Sequence, residues 1–204
     1  MTSIAIWMSW GIGGCVSSEL LGYFLHRLMH CGRIGFLSRN HMRHHLELYG
    51  PLQKQRTPKY LDATTARIGL GNIGAEWLIP TPLLIAATVS ALYFLKVPMG
   101  FAFAYLGTAL VWSFLMFSYL HDIMHVEKFW LSRNRWLKNW FLSARTLHDI
   151  HHQAINDRGL MNKNFGIGFY FFDRLFGTFL SGKVAFNHSG YQAALRRYPP
   201  EVGK

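Results

Sequence analysis

The sequence predicts an all-α integral membrane protein that carries a histidine-rich metal site at the ends of its membrane-spanning helices. Half of the 204 residues are hydrophobic, 16% are aromatic and only 15% are charged, which is typical of helices in a bilayer with Trp and Tyr at its interfaces. The apolar residues form runs long enough to span a membrane. Ten of the eleven histidines fall into four short groups.

The four histidine groups are the main indication of a metal site. They are His26-x3-His30, His41-x2-His44-His45, His121-x3-His125 and His148-x2-His151-His152. Residues i, i+3 and i+4 share one face of a helix, so each group can present its rings in one direction. Imidazole is a ligand that suits iron, zinc, copper and nickel. A group of two followed by a group of three occurs twice, and only His188 lies outside this pattern.

The formal net charge of +11 would be compatible with nucleic acid binding, but the positions of the charges argue against it. Apart from Lys96, every Lys and Arg lies within residues 27–67 or 128–204. This distribution follows the positive-inside rule if both basic regions are cytoplasmic. We therefore expect no nucleic acid partner. Cys15 and Cys31 lack a CxxC spacing, so neither a disulfide framework nor a thiolate metal site is predicted.

Residues 4–25 are predicted to form the first transmembrane helix. They would extend about 33 Å at 1.5 Å per residue, enough to cross a hydrocarbon core of about 30 Å. No basic residue precedes the stretch, which argues against a cleaved signal peptide. Gly14, Ser18 and Gly22 recur every four residues, a pattern that lets membrane helices approach closely.

Glu19 is the one ionisable residue within this first span. It precedes His26 by seven residues and so lies on roughly the same helix face. A carboxylate at this depth is expected to be functional, either as a substrate contact or as a partner for a metal-bound histidine. The alternative is a protonated side chain that is hydrogen-bonded between helices.

A second and a third span are predicted at residues 78–95 and 99–120, joined by a tight turn at Lys96. The second span could begin as early as residue 68, because Pro80 and Pro82 interrupt its start. The pair predicts a helical hairpin that crosses the membrane out and back. An even number of crossings between His45 and His121 places all four histidine groups on one side.

The remaining regions, 26–67 and 121–204, are predicted to lie on the cytoplasmic side and to belong with the spans to a single membrane domain, residues 1–204. Residues 31–40 are predicted as a turn, residues 41–48 as a short helix, 126–147 as an interfacial helix, and 165–180 as an aromatic interfacial segment. Asp122 and Asp149 each follow the first histidine of a group. They are expected either to orient neighbouring imidazoles or to pair with nearby Arg and Lys.

The motifs HRLMH, HMRHH, HDIMH and HDIHH, in this order, resemble the fatty acid hydroxylase/sterol desaturase superfamily of membrane di-iron oxygenases. The resemblance runs from about residue 25 to residue 179. It includes NFG at 164–166 and FDRLFGT at 172–178, which are similar to the C-terminal signature of that family. It implies transmembrane helical hairpins with a cytosolic helical cap that holds a histidine-rich dimetal site.

The resemblance also implies an activity, the O2-dependent hydroxylation or desaturation of a C–H bond in a membrane lipid, with two iron ions as the working metals. All ten clustered histidines carry over as ligands: His26, His30, His41, His44, His45, His121, His125, His148, His151 and His152. Glu19, Asp122, Asp149 and Asn164, which begins the NFG motif, are candidates for orienting the site or contacting substrate. Zinc is expected to replace iron on purification, because it binds such ligands more tightly than Fe(II).

Several functional questions stay open from the sequence. The substrate is a fatty acyl lipid, a sterol or a carotenoid, since LHRLMH also resembles carotenoid hydroxylases of the same superfamily. The alternative class is a non-enzymatic metal-binding or metal-transport protein, although transporters place ligands near the bilayer midplane.

The sequence shows no cytochrome b5 module, so a separate ferredoxin-like or cytochrome b5-like donor with its reductase is expected. A homo-oligomer could complete the architecture, in a bacterial inner membrane or the endoplasmic reticulum, with the metal site on the cytoplasmic side.

Overall fold

The computed structural model of the chain describes residues 2–52, 55 and 80–199. Within these residues the backbone is helical or irregular, and the only strand-like pairing is an isolated antiparallel bridge between Ile155 and Met161. This confirms the predicted all-α class.

Eight α-helices are described in the ranges above, and two of them continue into π-helical segments. They are α1 (Thr2–Met29), α2 (Gly35–Arg43) with a π-helix at His44–Leu48, α3 (Pro80–Phe94), α4 (Met99–Ser113) with a π-helix at Phe114–Leu120, α5 (His121–Met124), α6 (Lys138–Gln153), α7 (Phe171–Leu175) and α8 (His188–Arg197). A 3-10 turn at Trp130–Ser132 precedes α6.

Within the described residues, two helical stretches are long and apolar enough to cross a membrane. They are Ile4–Met29 and Met99–Met124, each of 26 residues, or about 39 Å at 1.5 Å per residue. The helix α3 is apolar but has only 15 residues, which is about 22 Å and shorter than the hydrocarbon core. The earlier start considered for this span, residues 68–79, lies outside the described residues.

The predicted small-residue stripe packs α1 against α4. A Cβ atom at Gly14 would overlap the Tyr105 carbonyl and the Thr108 hydroxyl. At Gly22 it would overlap the ring of Phe117. The hydroxyls of Ser18 and Ser113 are 2.7 Å apart and share a hydrogen bond. Small side chains therefore bring these two helices close together, and the histidines at their ends with them.

Two boundaries differ from the sequence expectation. The helix α2 begins at Gly35, inside the stretch predicted as a turn, because Leu37 and Met42 on its inner face are buried. The interfacial helix predicted for 126–147 begins only at Lys138. Asn134 explains this late start, since its side-chain oxygen accepts hydrogen bonds from the backbone amides of Trp136 and Leu137 and stabilises a turn there.

Candidate metal centre

Nine histidines form two groups in which the nitrogens available as ligands lie within 4.8 Å of one another. The first group is His26, His30, His41, His45 and His151, and the second is His44, His125, His148 and His152. Every member of the first group is buried. The four sequence motifs thus meet at one place, where α1 and the Met99–Met124 helix end.

Each His-x2-His-His motif contributes to both groups. His41 and His45 belong to the first group, but His44 between them belongs to the second. In the other motif His148 and His152 belong to the second group, while His151 belongs to the first. The middle histidine of each motif therefore crosses to the group formed mainly by the other half of the chain. Neither group can be completed by one half alone.

A π-helical turn accompanies this exchange in the first half. The segment His44–Leu48 is π-helical, and such wider turns inside helices are frequent at functional sites. The rings of His44 and His45 have centroids 5.1 Å apart at an interplanar angle of 78°. Adjacent residues on a helix point about 100° apart, so His44 and His45 can face different groups, as His151 and His152 do within the α-helix α6.

In the first group, the Nε2 atoms converge. The distances are 3.0 Å between His30 and His41, 3.2 Å between His41 and His45, and 3.1 Å between His30 and His151. A ring nitrogen has one hydrogen or one lone pair, so Nε2 of His30 cannot form two such hydrogen bonds at once. Nitrogens about 2.1 Å from a common metal at right angles would be about 3.0 Å apart. The arrangement therefore fits a single cation.

The second group shows the same convergence. The Nε2 atoms of His125 and His148 are 3.0 Å apart. Nε2 of His44 and Nε2 of His152 are buried and have no hydrogen-bond partner among the described residues. Unpartnered buried nitrogens are costly unless another group, such as a metal ion, satisfies them.

Backbone carbonyls orient several of the rings. Nδ1 of His26 is 2.6 Å from the Phe165 carbonyl oxygen. Nδ1 of His151 is 2.6 Å from that of Lys163. When Nδ1 carries the hydrogen and donates it, Nε2 has its lone pair free for a metal. Nδ1 of His152 is likewise 3.0 Å from the carbonyl oxygen of Tyr49, whose ring stacks on His125 at 3.6 Å.

Burial keeps eight of the clustered imidazoles neutral. It lowers the pKa of His30, His41, His44, His45, His125, His148, His151 and His152, and the neighbouring imidazoles lower it further. For His152 the pKa falls to about 3. A neutral imidazole is the form that binds metal.

His121, the tenth clustered histidine, lies at the margin of the second group. Its ring centroid is 4.6 Å from that of His44 and 4.9 Å from that of His148. Its Nε2 is buried without a partner among the described residues, and its Nδ1 is 3.7 Å from a carboxylate oxygen of Asp122. The structure thus places Asp122 beside a clustered imidazole.

Glu19 and Asp149, the other predicted acidic residues, form no hydrogen bond to a histidine among the described residues. Glu19 accepts a hydrogen bond from the indole nitrogen of Trp112 at 2.8 Å, and so has a partner on the neighbouring helix. Burial raises the pKa of Asp149 to about 6, against the effect of nearby Arg145. Asp149 lines a polar cavity of about 450 Å³ together with His125 and His152.

Asn164 braces the backbone around the site. Its side chain donates to the carbonyls of Leu147 and Leu180 and accepts from the amide of Leu180. Its φ of 55° is unusual for a residue other than glycine, and asparagine tolerates that conformation better than most. The residue therefore supports the loop that carries the Lys163 and Phe165 carbonyls.

Sequence reasoning missed Asp173, which anchors the same loop. Its buried carboxylate accepts hydrogen bonds from the amides of Phe165 and Gly166 and from the Thr178 hydroxyl, each at 2.7 Å. Asp173 and Thr178 both belong to FDRLFGT, so this motif was the feature of the sequence that could have indicated their role. The sequence does not indicate that the carbonyls of Tyr49, Lys163 and Phe165 orient histidines, because every residue has a carbonyl.

An apolar cavity of about 280 Å³ lies between α1, α3 and α4. Its lining includes Leu21 and Leu25 on α1, Leu84 on α3, and Leu110 and Phe117 on the Met99–Met124 helix. Leu25 directly precedes His26. The cavity thus lies between the apolar helices, and one of its lining residues is the neighbour in sequence of a member of the first histidine group.

Long apolar helices that end in two clusters of neutral histidines define a membrane protein with a candidate dimetal site. The family model described as fatty acid hydroxylase matches residues 12–178. The chain therefore belongs to the fatty acid hydroxylase family, within the fatty acid hydroxylase/sterol desaturase superfamily that its motifs resemble. Neither the search of curated proteins nor the search of solved structures returned a match.

Proposed function

We propose that the protein is an O2-dependent di-iron oxygenase that hydroxylates or desaturates a C–H bond of a membrane lipid, such as a fatty acyl chain or a sterol. The observation that carries this proposal is the convergence of two histidine groups at the ends of long apolar helices. An apolar cavity between those helices offers space for a lipid chain. Membership of the fatty acid hydroxylase family supports the reaction class.

We assign five ligands to each metal. His121 completes the second group, since its buried Nε2 has no hydrogen-bond partner among the described residues. Neutral nitrogen donors suit iron, and also zinc or copper. Bound iron would supply the activation of O2 and the oxidation of the C–H bond.

The chain itself contributes position, charge state and exclusion of water. The Phe165 and Lys163 carbonyls hold the rings of His26 and His151 with Nε2 facing the site. Burial lowers the pKa of His151, keeps its ring neutral and limits the access of water. The apolar cavity is suited to an alkyl chain or an isoprenoid, because contact between such a chain and the apolar lining is energetically favourable.

The remaining parts of the proposal concern the surroundings of the enzyme. Electrons come from a separate ferredoxin-like or cytochrome b5-like protein with its reductase. Arg133 and Arg135, exposed residues before α6, are candidates for docking its acidic face. The protein resides in a bacterial inner membrane or the endoplasmic reticulum, with the metal site on the cytoplasmic side.

Lipid mass spectrometry of a host that expresses the protein tests the activity. The expected product carries one additional oxygen atom, whereas the loss of two hydrogen atoms would identify desaturation. A host expressing His151→Ala should lack the product, and one expressing His188→Ala should retain it. Oxidised carotenoids as the only product would identify the carotenoid hydroxylase alternative. No modified lipid of any class, despite a metal-loaded protein, would favour a non-enzymatic metal-binding protein.

A further inference from the structure

Four arginines of the described ranges line a third cavity, of about 590 Å³, at the place where α1 ends. They are Arg27, Arg33, Arg158 and Arg197. They come from the last turn of α1, the turn that follows it, the loop after α6, and the last turn of α8. The fold therefore brings together four cations that are distant in sequence.

Among the residues that the structure describes, no acidic side chain lines this cavity. None of the four guanidinium groups forms an ion pair with any residue in the described ranges. Four like charges around one space repel each other, and an anion that entered would remove that repulsion. Guanidinium groups present paired N–H donors that match the oxygens of a phosphate.

The site is partly built before any ligand binds. Gly32, with a φ of 67°, lies against the guanidinium of Arg197, and a Cβ there would be 3.1 Å from its Cζ. The same Cβ would be 3.1 Å from the hydroxyl of Tyr198, a residue that is itself buried in the cap. Glycine thus lets the turn approach Arg197, and this packing restricts where that side chain can lie.

The cavity lies at the level expected for lipid headgroups. Arg27 belongs to the membrane-length stretch Ile4–Met29, and Leu28 beside it exposes an apolar side chain. Phe36, at the start of α2, is also exposed. Apolar side chains next to clustered cations are typical of a surface that meets the acyl and phosphate layers of a membrane.

We propose that the four-arginine cavity binds a phosphate group, supplied either by an anionic phospholipid headgroup or by a free phosphate compound. The proposal goes beyond the oxygenase function and does not depend on it. Arg27 and Cys31, which line the cavity, directly follow the clustered residues His26 and His30. A bound phosphate would therefore fix the cap against the membrane surface next to the first histidine group.

Native mass spectrometry of the full chain in neutral detergent tests the proposal with dioleoyl phosphatidylglycerol and dioleoyl phosphatidylcholine as probes. The wild-type protein should retain the anionic lipid at least about fivefold more than the zwitterionic one. Arg158→Gln/Arg197→Gln should abolish that preference. Arg39→Gln/Arg196→Gln, which removes the same charge from exposed sites outside the cavity, should keep it.

Added inorganic phosphate separates the two sources. Displacement of the lipid at millimolar phosphate would identify a site for free phosphate compounds, and retention would identify a lipid headgroup site. Arg27→Gln/Arg33→Gln, altering the opposite wall, should repeat the loss. Equal lipid retention in wild type and both cavity variants, or an equal loss in the control variant, would overturn the proposal. The proposal would also be overturned if the cavity variants retained the lipid as the wild type does and lost only the binding of an acidic ferredoxin. Metal content, measured in parallel, reports separately on the oxygenase proposal.

Discussion

His26 and Phe165 are joined by a 2.6 Å contact between the ring Nδ1 and the backbone carbonyl oxygen. The same loop holds His151 through the Lys163 carbonyl, and Asp173 anchors the loop by accepting a hydrogen bond from the Phe165 amide. A C-terminal motif without histidines therefore orients two rings of the first group. The FDRLFGT signature thus has a physical reason to accompany the histidine motifs.

Asp173→Asn should weaken metal binding at the first group. The asparagine side chain has an NH2 group in place of one carboxylate oxygen, so one of the three donors to Asp173 would lose its acceptor. Loss of a buried hydrogen bond lowers the free energy of unfolding by about 1–3 kcal/mol. Loss of an orienting partner lowers metal affinity by about 10- to 100-fold. Metal retained after a chelator challenge measures this effect. Asp157→Asn, at an exposed position, is the control, and unchanged retention in Asp173→Asn would contradict the assigned role.

The exchange of middle histidines predicts which metal each variant loses. The wild-type protein should hold two metal ions per chain. His151→Ala should mainly empty the first group and His44→Ala the second, although each residue belongs to the opposite half of the sequence. Metal analysis with extended X-ray absorption, which reports the remaining ligand set, checks this. His188→Ala should keep both ions, and a wild-type protein with one ion or none would refute the dimetal interpretation.

The sequence predicted the histidine groups and the long spans because both depend on residue type and spacing. It did not predict how the histidines divide, since His44 and His45 are adjacent, as are His151 and His152, and only the packing of the helices decides which group each ring joins. The sequence also did not predict which carbonyls orient His26, His151 and His152. Backbone groups acquire such roles from the tertiary fold, which no local pattern encodes.

The metal-free protein should lose stability as the pH falls below the ordinary histidine range. Burial lowers the folded-state pKa of His152 from 6.5 to about 3, and the other clustered imidazoles outside the spans shift in the same direction. Between these values the unfolded chain binds protons that the folded chain does not, so the free energy of unfolding decreases as the pH decreases.

Thermal unfolding of chelator-treated protein at pH 7.5 and at pH 5 measures this dependence. The midpoint should be lower at pH 5, and His152→Gln should reduce the difference, because glutamine does not titrate. Metal should also dissociate more readily at pH 5, since protons compete for the same nitrogens. An unfolding midpoint that is independent of pH in this range would show that the rings are not held neutral by burial.

Filling the apolar cavity should reduce turnover without removing the metals. Leu84 lines the cavity, so Leu84→Trp should obstruct an alkyl chain and lower the rate by about tenfold or more, because small displacements from the reactive geometry are costly. Leu83 is 65% exposed on the same helix and does not line the cavity, so Leu83→Trp is the matched control. If both variants react at the wild-type rate with full metal content, the substrate does not occupy this cavity.

Membrane topology provides the last test, because two histidine groups can form only if their motifs lie on one side of the bilayer. Lys96 lies in the exposed turn between α3 and α4, while Arg39 and Lys138 are exposed on the cap. In a chain with Cys15 and Cys31 replaced by serine, cysteine at Arg39 or Lys138 should react with an impermeant thiol reagent only from the cytoplasmic side. Cysteine at Lys96 should react only from the opposite side. Labelling of Arg39→Cys and Lys138→Cys from opposite sides would exclude a shared site, since the histidines of α2 and α6 could then not meet.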